Sequence, residues 1–281
     1  MEKAPAIDDL RDLLEKQLRS LESSEKGVLD GADVEDLHHF RVATRRSRAL
    51  IRASRPLIRD QLSGLDRELR WLGGASGPVR DLDVLIDHLR SVVDELDPDQ
   101  AGGETIISSL ERERLQQREK LVKAVASERY RELLARFREA LPSLKAADDQ
   151  VELGHLAEDE LKRLRSAYDE LEPDSPDDEL HAVRIKAKHA RYSAELAAQT
   201  GDDALTGLAE SLRDLQDLIG THQDAVVAEE RVRALSDDDS RVAVGRIVEL
   251  ERQRRRRARV ELPTAWKRVD RSARKAFGNG D

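Results

Sequence analysis

The chain has 281 residues, of which 38% are charged, 38% hydrophobic and only 3% aromatic, with a formal net charge of −9 and a mean hydropathy of −0.66. No apolar run nears the ~18 residues that a membrane span requires, and Met1 to Asp9 has no basic-then-apolar leader, so a cytoplasmic protein with no membrane partner is expected. The absence of cysteine excludes disulfides, thiolate zinc sites and cysteine nucleophiles.

Taken in chain order, nearly every segment reads as helix. Ile7, Leu10, Leu14, Leu18 and Leu21 form an apolar stripe after Pro5, and a second helix carries His38. Leu62, Leu65, Leu69 and Leu72 make another stripe, which ends at Gly73 and Gly74, and Pro78 opens the helix of Val79, Leu82, Ile86 and Leu89. Asp97 to Gly103 reads as a loop from its Asp, Pro and Gly content, followed by two helices over Thr105 to Ala140. A helix over Val151–Leu171 and a loop over Glu172–Asp178 come next. The remaining helices are separated near Gly201, Gly220, Ser236–Ser240 and Pro263. No segment alternates with a period of two, so the predicted fold is all-α, without a sheet.

The second half repeats the first. A shift of 143 residues places His38–His88 on His181–Arg231 without a gap. It pairs His38 with His181, Arg41 with Arg184, Arg48 with Arg191, Leu69 with Leu212, Gly77 with Gly220 and Asp81 with Asp224. Residues 1–146 and 147–281 are therefore read as two pseudo-symmetric helical-bundle repeats, with Lys145–Gln150 as the connection.

Charge is unevenly placed. Seven arginines and no acid lie between Leu37 and Arg59, four cations and no acid between His181 and Ala194, and six arginines between Arg252 and Arg259. These blocks carry +17 and leave −26 for the rest, a pattern suited to holding an anion at one place while repelling polyanions elsewhere. At ~100° per residue, His38, Arg41, Arg45, Arg48 and Arg52 share one helix stripe about 21 Å long, opposite Phe40, Ala43, Leu50 and Ile51. His181, Arg184, Lys188 and Arg191 repeat it, although Glu195 replaces Arg52. Like charges at this spacing repel, so acids on neighbouring helices or a bound polyanion must relieve them.

The segment His38-His39-Phe40-Arg41-Val42-Ala43-Thr44-Arg45-Arg46 and its counterpart from Leu180 to Tyr192 resemble the CHAD family, the conserved-histidine α-helical domain. The likeness extends to Leu69-Arg70-Trp71-Leu72 with Gly77, to Arg80-Asp81-Leu82-Asp83-Val84, to Leu215-Gln216-Asp217-Leu218 with Gly220 and Gln223-Asp224, and to the Arg-rich helix before Trp266. The resemblance implies two bundles around a central basic pore or groove, binding of inorganic polyphosphate, and targeting to polyphosphate granules. Carried over by position, it implies that His38, Arg41, Arg45, Arg48, His181, Arg184, Lys188 and Arg191 line the anion path, with Arg46, Arg52, Arg80 and Lys186 as further contacts. Gln223 stands where the first half has Arg80, so the halves need not bind equally. Many relatives carry a triphosphatase domain, but no alternating-glutamate strand is visible here, so a stand-alone copy is expected.

Competing readings are weighed on the same residues. A phosphohistidine box at His38 lacks its proline and any glycine-rich nucleotide segment. No His-Glu-x-x-His pattern supplies a metal site. A metal-dependent polyphosphate hydrolase would have to draw on Asp81, Asp83 and Asp224. Nucleic acid shares the electrostatics, but three Phe, three Tyr and two Trp leave little for base stacking. A non-enzymatic polyphosphate binder without metal or cofactor is the expected function. The alternatives are a nucleic-acid-binding helical protein or the hydrolase.

Overall fold

In the computed structural model, which describes residues 6–31, 34–96, 100–147 and 151–278, the described residues form ten α-helices and no strand. The first half comprises α1 (Ala6–Asp30), α2 (Val34–Ala53), the short α3 (Arg55–Ile58), α4 (Ser63–Asp94), α5 (Gln100–Val125) and α6 (Glu128–Ser143). The second comprises α7 (Leu153–Asp169), α8 (Asp177–Ala197), a 3₁₀ turn at Ala198–Thr200, α9 (Asp203–Ala234) and α10 (Arg241–Phe277).

Local chemistry explains where several of these helices begin and end. Asp202 caps α9 by accepting hydrogen bonds from the Ala204 and Leu205 amides, and Ser127 caps α6 by accepting from the Tyr130 amide. Gly201 closes the preceding turn at φ 79°, a left-handed conformation that glycine adopts without steric cost.

Three predicted helix breaks do not occur. α4 runs without interruption through Gly73, Gly74 and Pro78, α9 through Gly220, and α10 through Pro263. The continuous buried face of α4, from Leu65, Leu69 and Leu72 to Val79, Leu82 and Ile86, outweighs the weak propensity of its glycines. Pro78 and Pro263 lie on exposed faces, where a carbonyl that loses its helical partner can turn to water. The predicted loop at Asp97–Gly103 also shrinks. Asp97–Asp99 lies outside the described residues, and Gln100–Gly103 already belongs to α5, with Gly103 packed against Val93. Of the predicted connection, Asp148–Gln150 lies outside the described residues.

α1 packs on α2, α2 on α4, and α4 on α5; in the second half α7 packs on α8, α8 on α9, and α9 on α10. The halves meet where α2 packs on α8, and α10 reaches back to α4 and α5. The larger apolar cluster takes side chains from both halves, including Leu10, Phe40, Leu72, Leu164, Leu208 and Val269. A smaller cluster joins Leu85, Ile86 and Leu89 of α4 with Ile106 and Leu110 of α5, Val232 of α9 and Ile247 of α10. On α4 the larger cluster ends at Val79 and the smaller begins at Leu82; on α9 they part between Ile219 and Ala228. The polar residues at these two junctions build the site.

Candidate functional site

α2 is two-sided because its apolar and basic residues repeat at helical spacing. Phe40, Ala43, Leu50 and Ile51 are buried in the core, which turns the basic stripe toward α8 and α4. α8 does the same with Val183, Ala187, Ala190 and Ala194.

Between the two stripes lies a cavity of about 540 Å³. Its walls include His38, Arg41, Arg80, Asp81 and Val84 from the first half, and His181, Arg184, Gln223, Asp224 and Val227 from the second. Each residue of the first set stands 143 positions before one of the second, and both sets face one space. Arg45 lines this cavity and also a smaller one of about 150 Å³, where it is joined by Arg48, Arg52, Lys188, His189 and Tyr192. The two cavities thus meet at Arg45, and together they follow the α2 stripe from His38 to Arg52.

The cations are not all alike. Arg41 donates to Asp81 at 2.6 Å, Arg48 to Asp66 at 3.1 Å, and Arg52 to the same carboxylate at 3.4 Å. Arg46 and Arg191 turn away from both cavities to the buried carboxylate of Glu195, at 2.9 and 3.3 Å, and Arg213 approaches it at 3.6 Å. Arg45, Arg80, Arg184, Lys186 and Lys188 make no ion pair among the described residues, and Lys186 lies outside both cavity walls. Acids on neighbouring helices thus pair with Arg41, Arg48 and Arg52, while Arg45 between them makes no ion pair among the described residues; Glu160 shares the wall of the smaller cavity.

Electrostatics concentrate on Lys188. Burial pushes its ammonium below the ordinary lysine range, and the positive fields of Arg184, Arg45, Arg52 and Arg48 push it further. Burial also lowers His38, with Arg80 adding to the shift, and lowers His189 in the smaller cavity. Asp224 is shifted the other way: burial raises its carboxyl, against the opposing fields of Arg184 and Arg254. His181 is exposed and shares a 3.2 Å hydrogen bond with Gln223.

Several cavity residues escape the helical-stripe pattern. His88 and Arg254 face the larger cavity and meet at the buried Glu251, and Arg254 comes from the Arg252–Arg259 block. Arg252 and Arg255 of that block pair with Glu229, Arg255 and Arg259 with Asp177, and Arg256 with Glu249. Among the described residues, no group of three His, Asp or Glu side chains is placed to hold a metal ion. None of the described helices is long and apolar enough to cross a membrane.

The CHAD domain family model matches residues 12–233, which is most of the chain and includes every residue of the two basic stripes. The chain belongs to the CHAD domain family. Two curated relatives, uncharacterized proteins Rv2226 and MT2285 from strains of Mycobacterium tuberculosis, are 28% identical over 292 residues, covering 97% of this chain and 55% of each relative. The chain thus spans about half the length of the curated relatives it matches. Among solved structures, PptA from Streptomyces chartreusis superposes with a TM-score of 0.75 at 20% identity, over 94% of this chain and 100% of that one. The CHAD domain from the plant Ricinus communis superposes with a TM-score of 0.66 at 23% identity, over 99% and 93%. Both likenesses establish the CHAD helical fold.

Proposed function

We propose that this CHAD protein binds inorganic polyphosphate between α2 and α8, without hydrolysing it, and that this binding places it at polyphosphate granules in the cytoplasm. The observation that carries the reading is geometric: Lys188 shares one cavity wall with Arg45, Arg48 and Arg52, Arg184 lines the adjoining cavity, and Lys188 makes no ion pair among the described residues. Like charges pressed together in a partly buried site destabilise the empty protein, and a bound polyanion relieves that repulsion. Arginine suits the task because its planar fork donates to two phosphate oxygens at once. A chain of phosphates can touch Arg184, Arg45 and Lys188 in turn, and many modest contacts on one ligand sum to a high affinity.

Nucleic acid offers the same backbone charge, but most of the rings that would stack on bases are occupied. Tyr192, Tyr130, Phe40 and Phe137 are buried, and Tyr168 stacks on Trp266 at 4.2 Å. The deciding experiment titrates the protein with long-chain polyphosphate, orthophosphate and single-stranded DNA at physiological salt. Strong preference for polyphosphate supports the reading, and equal or tighter DNA binding overturns it. Assaying phosphate released from polyphosphate in the presence of a divalent metal separates binder from hydrolase.

A further inference from the structure

Arg41 and Arg184 stand 143 positions apart and line the same cavity, yet their guanidinium groups are held differently. Arg41 donates from Nη2 to Asp81 Oδ1 at 2.6 Å. Gly77, one helical turn earlier on α4, leaves the space in which that guanidinium lies, since a Cβ there would come within 2.7 Å of Arg41 Nη1. α9 repeats the pair as Gly220 and Asp224, but nothing lies within 4 Å of a Cβ built at Gly220. Arg184 makes no ion pair among the described residues, and its Nε is buried without a hydrogen-bond partner.

From this asymmetry, and resting on the polyphosphate reading above, we propose that Asp81 is a specificity-determining residue that competes with polyphosphate for Arg41, whereas Arg184 is open to receive the ligand first. A phosphate reaching the Arg184 guanidinium from the cavity breaks no ion pair among the described residues. A phosphate reaching Arg41 must displace the Asp81 carboxylate, which then faces the incoming polyanion from the cavity wall. The polyanion therefore seats along Arg184, Lys188 and Arg45, and Arg41 joins by exchanging one anion for another. Gly77 makes the exchange possible by giving the unliganded guanidinium a place to rest.

The test is a double-mutant cycle on the full chain, read by calorimetric titration with long-chain polyphosphate at fixed salt. Asp81→Asn is expected to tighten binding about threefold to fivefold, the scale of one partly exposed ion pair. The same change in an Arg41→Gln background is expected to do nothing, and Arg184→Gln is expected to weaken binding more than Arg41→Gln does. Gly77→Ala keeps every charge but crowds Arg41 off α4, so it too should tighten binding. Weaker binding by Asp81→Asn would make Asp81 a support for Arg41 and overturn the proposal. Equal tightening with and without Arg41 would reduce it to general repulsion and also overturn it. If the wild-type protein shows no saturable binding, the polyphosphate reading fails as well; if it binds but the cycle is flat, competition at Asp81 alone is refuted. The Asp81 side chain is 69% exposed, so the variant should keep its fold, which circular dichroism checks.

Discussion

Glu195 of α8 accepts a hydrogen bond from Arg46 of α2 at 2.9 Å, so the one acid in the second stripe ties that helix to the first. It stands 143 positions after Arg52, and its buried carboxylate serves Arg191 and Arg213 as well. Glu195→Gln should therefore destabilise the empty protein by about 2–3 kcal/mol, because Arg46 and Arg191 are left partly buried without their acid. A fall in melting temperature of roughly 3–5 °C is the expected measurement. No change would mean that water satisfies these arginines.

Lys188 gives the opposite pattern. Lys188→Gln removes a cation pressed by Arg184, Arg45, Arg52 and Arg48, so the unliganded protein should melt higher, by about 2 °C. The same change should weaken polyphosphate binding at least about tenfold, the scale of one charge-assisted contact. Stability and affinity moving in the same direction would contradict the site.

Salt should weaken the complex steeply. Arg45, Arg80, Arg184 and Lys188 line the two cavities without ion pairs among the described residues, so binding should release about four counterions. Plotting log affinity against log salt should give a slope of about −3 by the single-strand scale. A slope near zero would place the ligand elsewhere.

Acid should act on stability and binding with opposite signs. His222 is buried beside Asp177 and Arg259, and burial holds its folded-state pKa below the ordinary value. The unfolded chain takes up that proton near pH 6.5 while the folded one resists. The stability His222 contributes is thus fully present above about pH 6.5 and is lost as the pH falls through its depressed value. His222→Gln should shrink the drop in melting temperature between pH 7.5 and 5.5. Binding should tighten as the pH falls, since protonation of Asp224, made easier by burial, removes an anion from the cavity wall and protonation of His38 adds a cation. Titrations at the two pH values check the second half of this expectation.

The helical fold was legible because core positions recur at helical spacing, and the α2 stripe was legible because Phe40, Ala43, Leu50 and Ile51 mark the opposite face. The lengths of α4, α9 and α10 were not. Gly73, Gly74, Pro78, Gly220 and Pro263 carry local breaking signals that tertiary burial overrides, and nothing near them in sequence reports that burial. At the site, spacing located the cations but not their partners. Arg46 and Arg191 share the basic blocks with Arg45 and Lys188, and only the fold shows both turned onto Glu195. His88 and Arg254 reach the cavity from α4 and α10, 166 positions apart, a meeting that no local pattern encodes.

α10 runs unbroken for 37 residues, about 55 Å, starting in the smaller apolar cluster at Ala243 and finishing in the larger at Ala273. Both clusters draw on the two sequence halves, so severing the backbone near residue 147 separates two pieces that each carry half of two interiors. Alone, each piece would display oily surface; mixed, they have every reason to reassemble and to recover the shared chamber between them. This molecule is thus a natural candidate for a split reporter, in which reconstitution of two fragments and formation of the cavity between them are one event.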